Sequence, residues 1–374
     1  MQNTDFDTII VGGGLGGLAA GCLLAQAGVS VLLIEKNQYP FHRVCGEYIS
    51  NESWPFLQSL GLDLASLNLP NINHLEVSDC VGKGFDFELG LGGFGISRYA
   101  LDLLLVKRFQ ELGGVLLQKT TVKEIDNDQV TTNDNVFWSK LVIGAFGKRS
   151  NLDIFLKRKF VASKPSKLNN YVGVKYHIRW QHNKEAIALH NFEGGYCGMS
   201  AIENDLSCMC YMVHAQMLKD CNNSIVELEN RILKKNKKLK EIFENAIFEW
   251  TKPQVISQIN FEQKDQFENH ILMLGDSAGL IPPLCGNGMS MALHAAKIAS
   301  ELSIQFVNNQ ITKPELEQKY KKQWQTQFET RLQAGRLIQP LFGKPRTTSL
   351  FLNTMNTLPF FAKKLIDFTH GEVF

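Results

Sequence analysis

Asp7-Thr8-Ile9-Ile10-Val11-Gly12-Gly13-Gly14-Leu15-Gly16-Gly17 is the stretch on which the fold turns. Its first five residues form a short apolar run, as expected of a strand buried in a parallel sheet. Gly12, Gly14 and Gly17 then fill the three glycine positions of a G-x-G-x-x-G fingerprint. Leu18 to Ala27 is rich in Ala and Leu and predicts a helix. Gly28 ends it, and Val29 to Ile34 predicts a second strand closed by Glu35. Strand, glycines, helix, strand and acid in register predict a dinucleotide-binding βαβ unit. Gly12 allows the tight turn, Gly14 lets the backbone approach a pyrophosphate, and Gly17 lets helix and strand pack closely. Free N–H groups at the helix start, around Leu15 and Gly16, hold the phosphate charge. Glu35, with Lys36 beside it, accepts hydrogen bonds from a ribose diol. This unit alone does not separate FAD from NAD.

A second motif lies far along the chain. Ile271 to Leu274 predicts another apolar strand, followed by Gly275-Asp276-Ser277-Ala278-Gly279 and, past Pro282, Pro283, Leu284 and Cys285, by Gly286-Asn287-Gly288-Met289. From Ser290 an Ala-rich helix follows. With both motifs present, the chain resembles the FAD-dependent superfamily that contains p-hydroxybenzoate hydroxylase, flavin halogenases and geranylgeranyl reductases. The resemblance implies an α/β fold: a Rossmann-type FAD-binding domain, an inserted antiparallel-sheet substrate domain and a helical C-terminus. It implies that Asp276 meets the flavin ribityl chain and that Gly286, Asn287, Gly288 and Met289 place a helix N-terminus near the flavin pyrimidine ring. A helix N-terminus suits the negative charge of a reduced flavin. FAD is expected to be non-covalent.

The match covers residues 5–150 and 270–305. Within it, Arg98 opens an Arg-x-x-x-Asp pattern that the superfamily places near the flavin, and Asp102 stands one helical turn on, in reach of Arg98. Val122 resembles the strand residue whose backbone meets the adenine. Leu141 to Ser150 resembles the third superfamily segment, with Ala145 and Gly147 as cofactor contacts, but Phe146 stands where that segment has an aspartate. Direct use of NAD(P)H is therefore left in doubt. The loop Phe41-His42-Arg43-Val44-Cys45-Gly46-Glu47-Tyr48 resembles the Cys-Gly-Gly or Cys-Gly-Glu loop of geranylgeranyl reductases, which lies against the flavin ring. Gly46 allows close backbone approach. Cys45 is either a proton donor or tuning group beside the flavin, or a packing residue. Arg43 is a candidate phosphate or substrate contact.

Composition narrows the rest. A chain of 374 residues suits two connected domains. The expected boundaries are residues 1–165 and 262–310 for FAD, 166–261 for the substrate sheet and 311–374 for the helical C-terminus, with parts of 50–120 free to join the substrate sheet. A net charge of +2 argues against nucleic-acid binding. The eight cysteines form no CxxC pair, which argues against a zinc ribbon, and no metal is expected. No apolar run reaches membrane-spanning length and no signal peptide is read, so a cytoplasmic location, with peripheral contact to the inner face of the membrane, is the expectation. The segments NYVGVKYHIRW, AIALHNF, YCGMSAI and SCMCYMV alternate like antiparallel strands, and Asn222 to Asn245 reads as one basic amphipathic helix. The C-terminal residues Leu350, Phe351, Met355, Leu358, Phe360, Phe361, Leu365, Ile366 and Phe368 are dense in apolar area around Lys363 and Lys364, fit to cap a hydrophobic tunnel, to touch a lipid surface or to pack on the catalytic domain as an ordinary helical tail.

These signals favour a flavin-dependent reductase or dehydrogenase acting on a carbon–carbon double bond of an apolar, lipid or carrier-bound substrate, served by an electron-donor protein. The alternatives are a flavin monooxygenase, a halogenase, whose W-x-W-x-I-P signature is absent from the sequence, and a non-enzymatic prenyl-protein escort.

Overall fold

The computed structural model describes residues 4–162, 169–282, 286–369 and 371–374. Pro283, Leu284, Cys285 and the side chains of Phe361 and Phe368 lie outside the described residues. Phe6–Val11 sits at the centre of the first sheet, between the parallel strands Val31–Ile34 and Val136–Gly144. Val115–Leu117 extends one side and Ile271–Met273 the other, both parallel. The central strand is covered on both faces, so its Ile9, Ile10 and Val11 are buried, which is why the sequence there reads as a continuous apolar run. The helix Leu15–Gln26 is buried along almost its whole length because Gly288–Val307 packs on it. The late motif is thereby brought beside the first.

A second, nine-stranded sheet stands against this one. Tyr171–Arg179, Ser207–His214, Gly195–Ala201 and Ala186–Phe192 are antiparallel neighbours in that order. The early strands Asn71–Ser78, Gly84–Gly95 and Tyr48–Ser50 extend one side, the first of them joined in parallel to Ala186–Phe192, and Ile247–Phe248 and Gln254–Ile259 pair with Tyr171–Arg179 on the other. Side chains alternate between its faces. Val174, Tyr176, Ile178, Met209, Tyr211 and Val213 fill one buried cluster. The opposite face runs in rows: His177, Cys208 and Ser200; then Lys175, Cys210, Gly198 and Leu189; then Gly173, Met212 and Tyr196.

The basic helix expected over 222–245 is instead two, Ile225–Arg231 and Lys237–Asn245. Asn236 breaks it. Its fully buried amide donates to Ser78 Oγ and to the Asp79 and Asn191 carbonyls, while its Oδ1 accepts the Lys238 and Leu239 N–H groups. A buried side chain with every polar atom matched outweighs helix continuity.

The C-terminal part is helical: Lys313–Ile338, Pro345–Thr357 and Pro359–Thr369. Thr312 and Glu315 form a capping box at the first, and Tyr320 donates to the Met273 carbonyl at 2.8 Å. Leu352 packs in one apolar cluster with Leu189, Tyr196, Met212 and Leu280, so the second of these helices covers the third row of the sheet face. Leu350, Leu358 and Phe360 remain 71%, 53% and 81% exposed. No helix among the described residues is long and apolar enough to cross a membrane.

Candidate functional site

At the first glycine turn the three fingerprint positions differ in what surrounds them. Gly12 has φ +105°, and a side chain there would strike the Ala145 carbonyl. One on Gly17 would strike the Gly12 carbonyl. Beside Gly14 the nearest atom to such a Cβ is 3.9 Å away, so this position is open for a ligand. Leu15 is buried, and Gly16 packs on Leu274 and the Ala292 carbonyl rather than facing open space.

Glu35 is buried and fully engaged. Its Oε1 accepts the Asn37 N–H and side-chain amide at 2.9 Å each; its Oε2 accepts the Gly13 N–H at 3.0 Å and Arg43 Nη2 at 3.1 Å. A carboxylate offers about four acceptor sites, so a ribose diol must take the place of Asn37 or Arg43. Arg43 also donates to the Gly13 carbonyl at 2.9 Å and to Asp102 at 3.1 Å, and Asp102 receives Arg98 through two bonds of 2.8 and 2.9 Å. Glu35, Arg43, Asp102 and Arg98 thus form one alternating chain of charge. Lys36 is exposed. Val122 begins a strand just past Thr120, whose N–H donates to the Glu35 carbonyl.

The late motif meets this chain. Burial alone would lower the Arg98 pKa; Asp102 raises it above its ordinary value, with smaller contributions from Cys45 and Asp276. Cys45 and Asp276, from two other stretches, therefore each lie within electrostatic reach of Arg98. The Asp276 carboxylate accepts no hydrogen bond among the described residues, while its carbonyl receives Lys264 Nζ at 2.7 Å. Burial brings the Lys264 ammonium down to about 8. Ser277 accepts the Gly147 N–H at 2.8 Å, which ties the third segment to the late motif. Nothing lies within 4 Å of a Cβ on Gly147. Ala145 donates its N–H to Val11. Phe146 packs against the core, its ring over Gly144. Asn287 and Met289 are buried at the start of Gly288–Val307, and Gly286, at φ +69°, lies beside the Tyr48 ring.

The loop between them is held by three side chains of the second sheet and by Lys148. The Arg43 carbonyl accepts Lys175 Nζ at 3.1 Å, the Val44 carbonyl Lys148 Nζ at 3.2 Å, the Cys45 carbonyl the Cys208 thiol at 3.2 Å, and the Gly46 carbonyl Ser200 Oγ at 2.9 Å. Gly46 is exposed and open on its Cβ side, and Cys45 is half-buried. Below the loop, the buried Glu47 carboxylate accepts Lys175 Nζ, His177 Nε2 at 2.7 Å and the Arg98 N–H at 2.7 Å. His42 stacks on Tyr99 and leans on His177 and Trp250.

Glu47, Lys175 and His177 were missed by the reading of the sequence. A signal existed: Lys175 and His177 stand two apart in an apolar strand and so share a face. Glu47, His177 and Cys208 place potential ligand atoms within 4.8 Å of one another. The Lys175 ammonium already holds that carboxylate, and burial pushes the Cys208 thiol well up, so the carboxylate is charge-paired by Lys175 and the thiol is a poor metal ligand.

A parallel sheet with a phosphate-type turn, an unengaged acid at its far motif and a second sheet gripping the intervening loop define a flavoprotein of the p-hydroxybenzoate hydroxylase-like fold. A family model described as FAD binding domain matches residues 5–307, and the chain belongs to that family. The chain is 22% identical over 352 residues to conditioned medium factor receptor 1 of Dictyostelium discoideum, covering 86% of this chain and 68% of that one. It is 24% identical over 342 residues to digeranylgeranylglycerophospholipid reductase of Methanocaldococcus jannaschii, covering 86% and 83%. The solved structure of a flavin-dependent brominase superposes with a TM-score of 0.77 at 18% identity, covering 97% and 93%. The protein is an FAD-dependent oxidoreductase. The openings at Gly14, Gly46 and Gly147 and the unengaged Asp276 carboxylate fit that cofactor.

Proposed function

We propose that this protein reduces carbon–carbon double bonds of an elongated, apolar substrate, in the manner of geranylgeranyl reductases. The observation that supports this most is the graded face of the second sheet. Its first row grips the loop at Cys45–Gly46. Its second row has room at Gly198, where a Cβ would meet only the Cys210 carbonyl, at 3.7 Å. Its third row, Met212 and Tyr196, is roofed by the helix Pro345–Thr357. A reacting end beside Cys45 and a tail among these apolar side chains would bury roughly 25 cal/mol per Å² of tail surface.

On this reading Gly12, Gly14, Leu15, Glu35, Arg43 and Val122 bind the adenosine and pyrophosphate portion, and Gly17 with Gly16 packs the helix behind it. Arg98, Cys45, Gly46, Ala145, Gly147, Asp276 and the turn Gly286–Met289 hold the flavin portion. When bound and reduced, FAD would supply a hydride equivalent to one alkene carbon. Cys45 gives its proton to the other carbon and regains one from solvent, so the substrate gains two hydrogens. Phe146 offers no acceptor where a nicotinamide nucleotide would need one, which favours an electron-donor protein. The exposed Leu350, Leu358 and Phe360 beside exposed Lys363 and Lys364 favour peripheral contact with the inner face of a membrane.

Anaerobic reduction followed by addition of prenyl or polyene lipids tests the reading. Dithionite should reduce the enzyme, NADH and NADPH only sluggishly, and the product should carry two added hydrogens. A product carrying an oxygen atom, formed only when air is admitted, would replace the reductase by the monooxygenase. Fast reduction by NADPH, matching turnover, would remove the donor protein.

Glu35 gives a separate expectation. Glu35→Ala removes four hydrogen bonds at once and leaves Arg43 short of a partner. Titration of the apoprotein should show FAD binding weakened at least about tenfold, since bonds to charged groups are worth roughly 1.5–3 kcal/mol each. An affinity equal to wild type would contradict its role at the ribose.

A further inference from the structure

Glu47 occupies a costly position. It has φ +58°, a conformation that non-glycine residues adopt only when their surroundings compel it, and its carboxylate is fully buried. The Lys175 side chain is equally buried. A buried ion pair is often no more stabilising than well-packed apolar side chains, so its presence points to geometry rather than to stability. The geometry is specific. One carboxylate joins the loop that carries Cys45 and Gly46, the first N–H of the helix that carries Arg98, and two residues of the substrate-facing strand. Lys175 also reaches the Arg43 carbonyl at the start of the same loop. The ordinary requirements of that loop do not explain this, because the Lys148, Cys208 and Ser200 side chains already hold its other carbonyls.

We propose that Glu47, clamped by Lys175 and His177, is the positioning element that fixes loop 43–47 and Arg98 against FAD and couples both to the substrate-binding face of the second sheet. None of the three touches the reacting atoms. The proposal rests on the reading that the Cys45–Gly46 loop faces the cofactor, and the experiment separates the two. The Glu47→Gln/Lys175→Met double variant removes both charges together, leaving no unpaired ion. Its FAD dissociation constant, visible absorption envelope and flavin midpoint potential are measured beside those of Gly46→Val, and amide exchange of residues 43–47 is followed in the apoproteins. The double variant should fold, exchange faster in the loop, bind FAD about tenfold more weakly, as expected for one lost charge-assisted hydrogen bond, and shift both spectrum and potential. A merely structural pair would leave spectrum and potential unmoved. Wild-type affinity, spectrum and potential in the double variant, with weakened binding in Gly46→Val, overturn the positioning role alone. Wild-type affinity in Gly46→Val overturns the placement of the loop and the proposal with it. Should the double variant fail to fold, His177→Phe keeps the ion pair and loses only the bond to Oε2. It should show the same spectral shift in smaller measure, and no shift at all overturns the proposal.

Discussion

Asp276→Ala is expected to cost roughly ten- to a hundredfold in FAD affinity while leaving the fold intact, the result of losing one charge-assisted hydrogen bond worth about 1.5–3 kcal/mol. The expectation is clean because the Asp276 side chain reaches Arg98 and Lys264 only through longer-range charge. No described donor meets its carboxylate, and the structural bond at this residue, from Lys264, goes to the backbone carbonyl, which the substitution retains. The protein should therefore melt as wild type does without cofactor and lose the thermal gain that saturating FAD confers. Fluorescence titration of the apoprotein and melting curves with and without FAD measure both. Unchanged affinity would take Asp276 out of the site. An equal fall in the stability of the apoprotein would make it a structural residue.

Lys175→Met alone should be among the most damaging single changes to stability, about 3–5 kcal/mol, because it strands a buried carboxylate. Its pH dependence carries the sign of the argument. Burial would push the Glu47 carboxyl up, but the Lys175 ammonium and the His177 contact outweigh it and hold the group at about 2, below its ordinary 4.5. The Lys175 ammonium is correspondingly raised by Glu47, against its own burial. A depressed carboxyl stabilises the fold above 4.5 and loses that contribution, about 3 kcal/mol, as pH falls through about 2. Without Lys175 burial dominates and the sign reverses. Protonation then removes an unpaired buried charge, so the variant should regain stability relative to wild type as the solution is acidified from neutrality toward about pH 4. Melting temperatures of both proteins across that interval decide it. A deficit that stays constant with pH would mean that Glu47 is not the stranded charge.

Local chemistry makes much of this protein legible in its sequence. Residues 7–35 carry strand, turn, helix, strand and acid within one short stretch, and each requirement is imposed by neighbours a few positions away. Gly12 needs its positive φ for the turn, and Gly17 its bareness for the helix to approach. The alternation in residues 171–214 likewise announced antiparallel strands. Two features escaped for a single reason. The break at Asn236 depends on acceptors at Ser78, Asp79 and Asn191, all distant in sequence. The clamp on Glu47 depends on Lys175, 128 residues away. Local patterns follow from backbone periodicity and from steric limits within a turn or two, which any sequence displays. The pairing of a buried charge is decided by which strands the tertiary fold lays side by side. Only the stacking of the second sheet over the loop at Cys45 placed an ammonium, an imidazole and a carboxylate in contact and out of water.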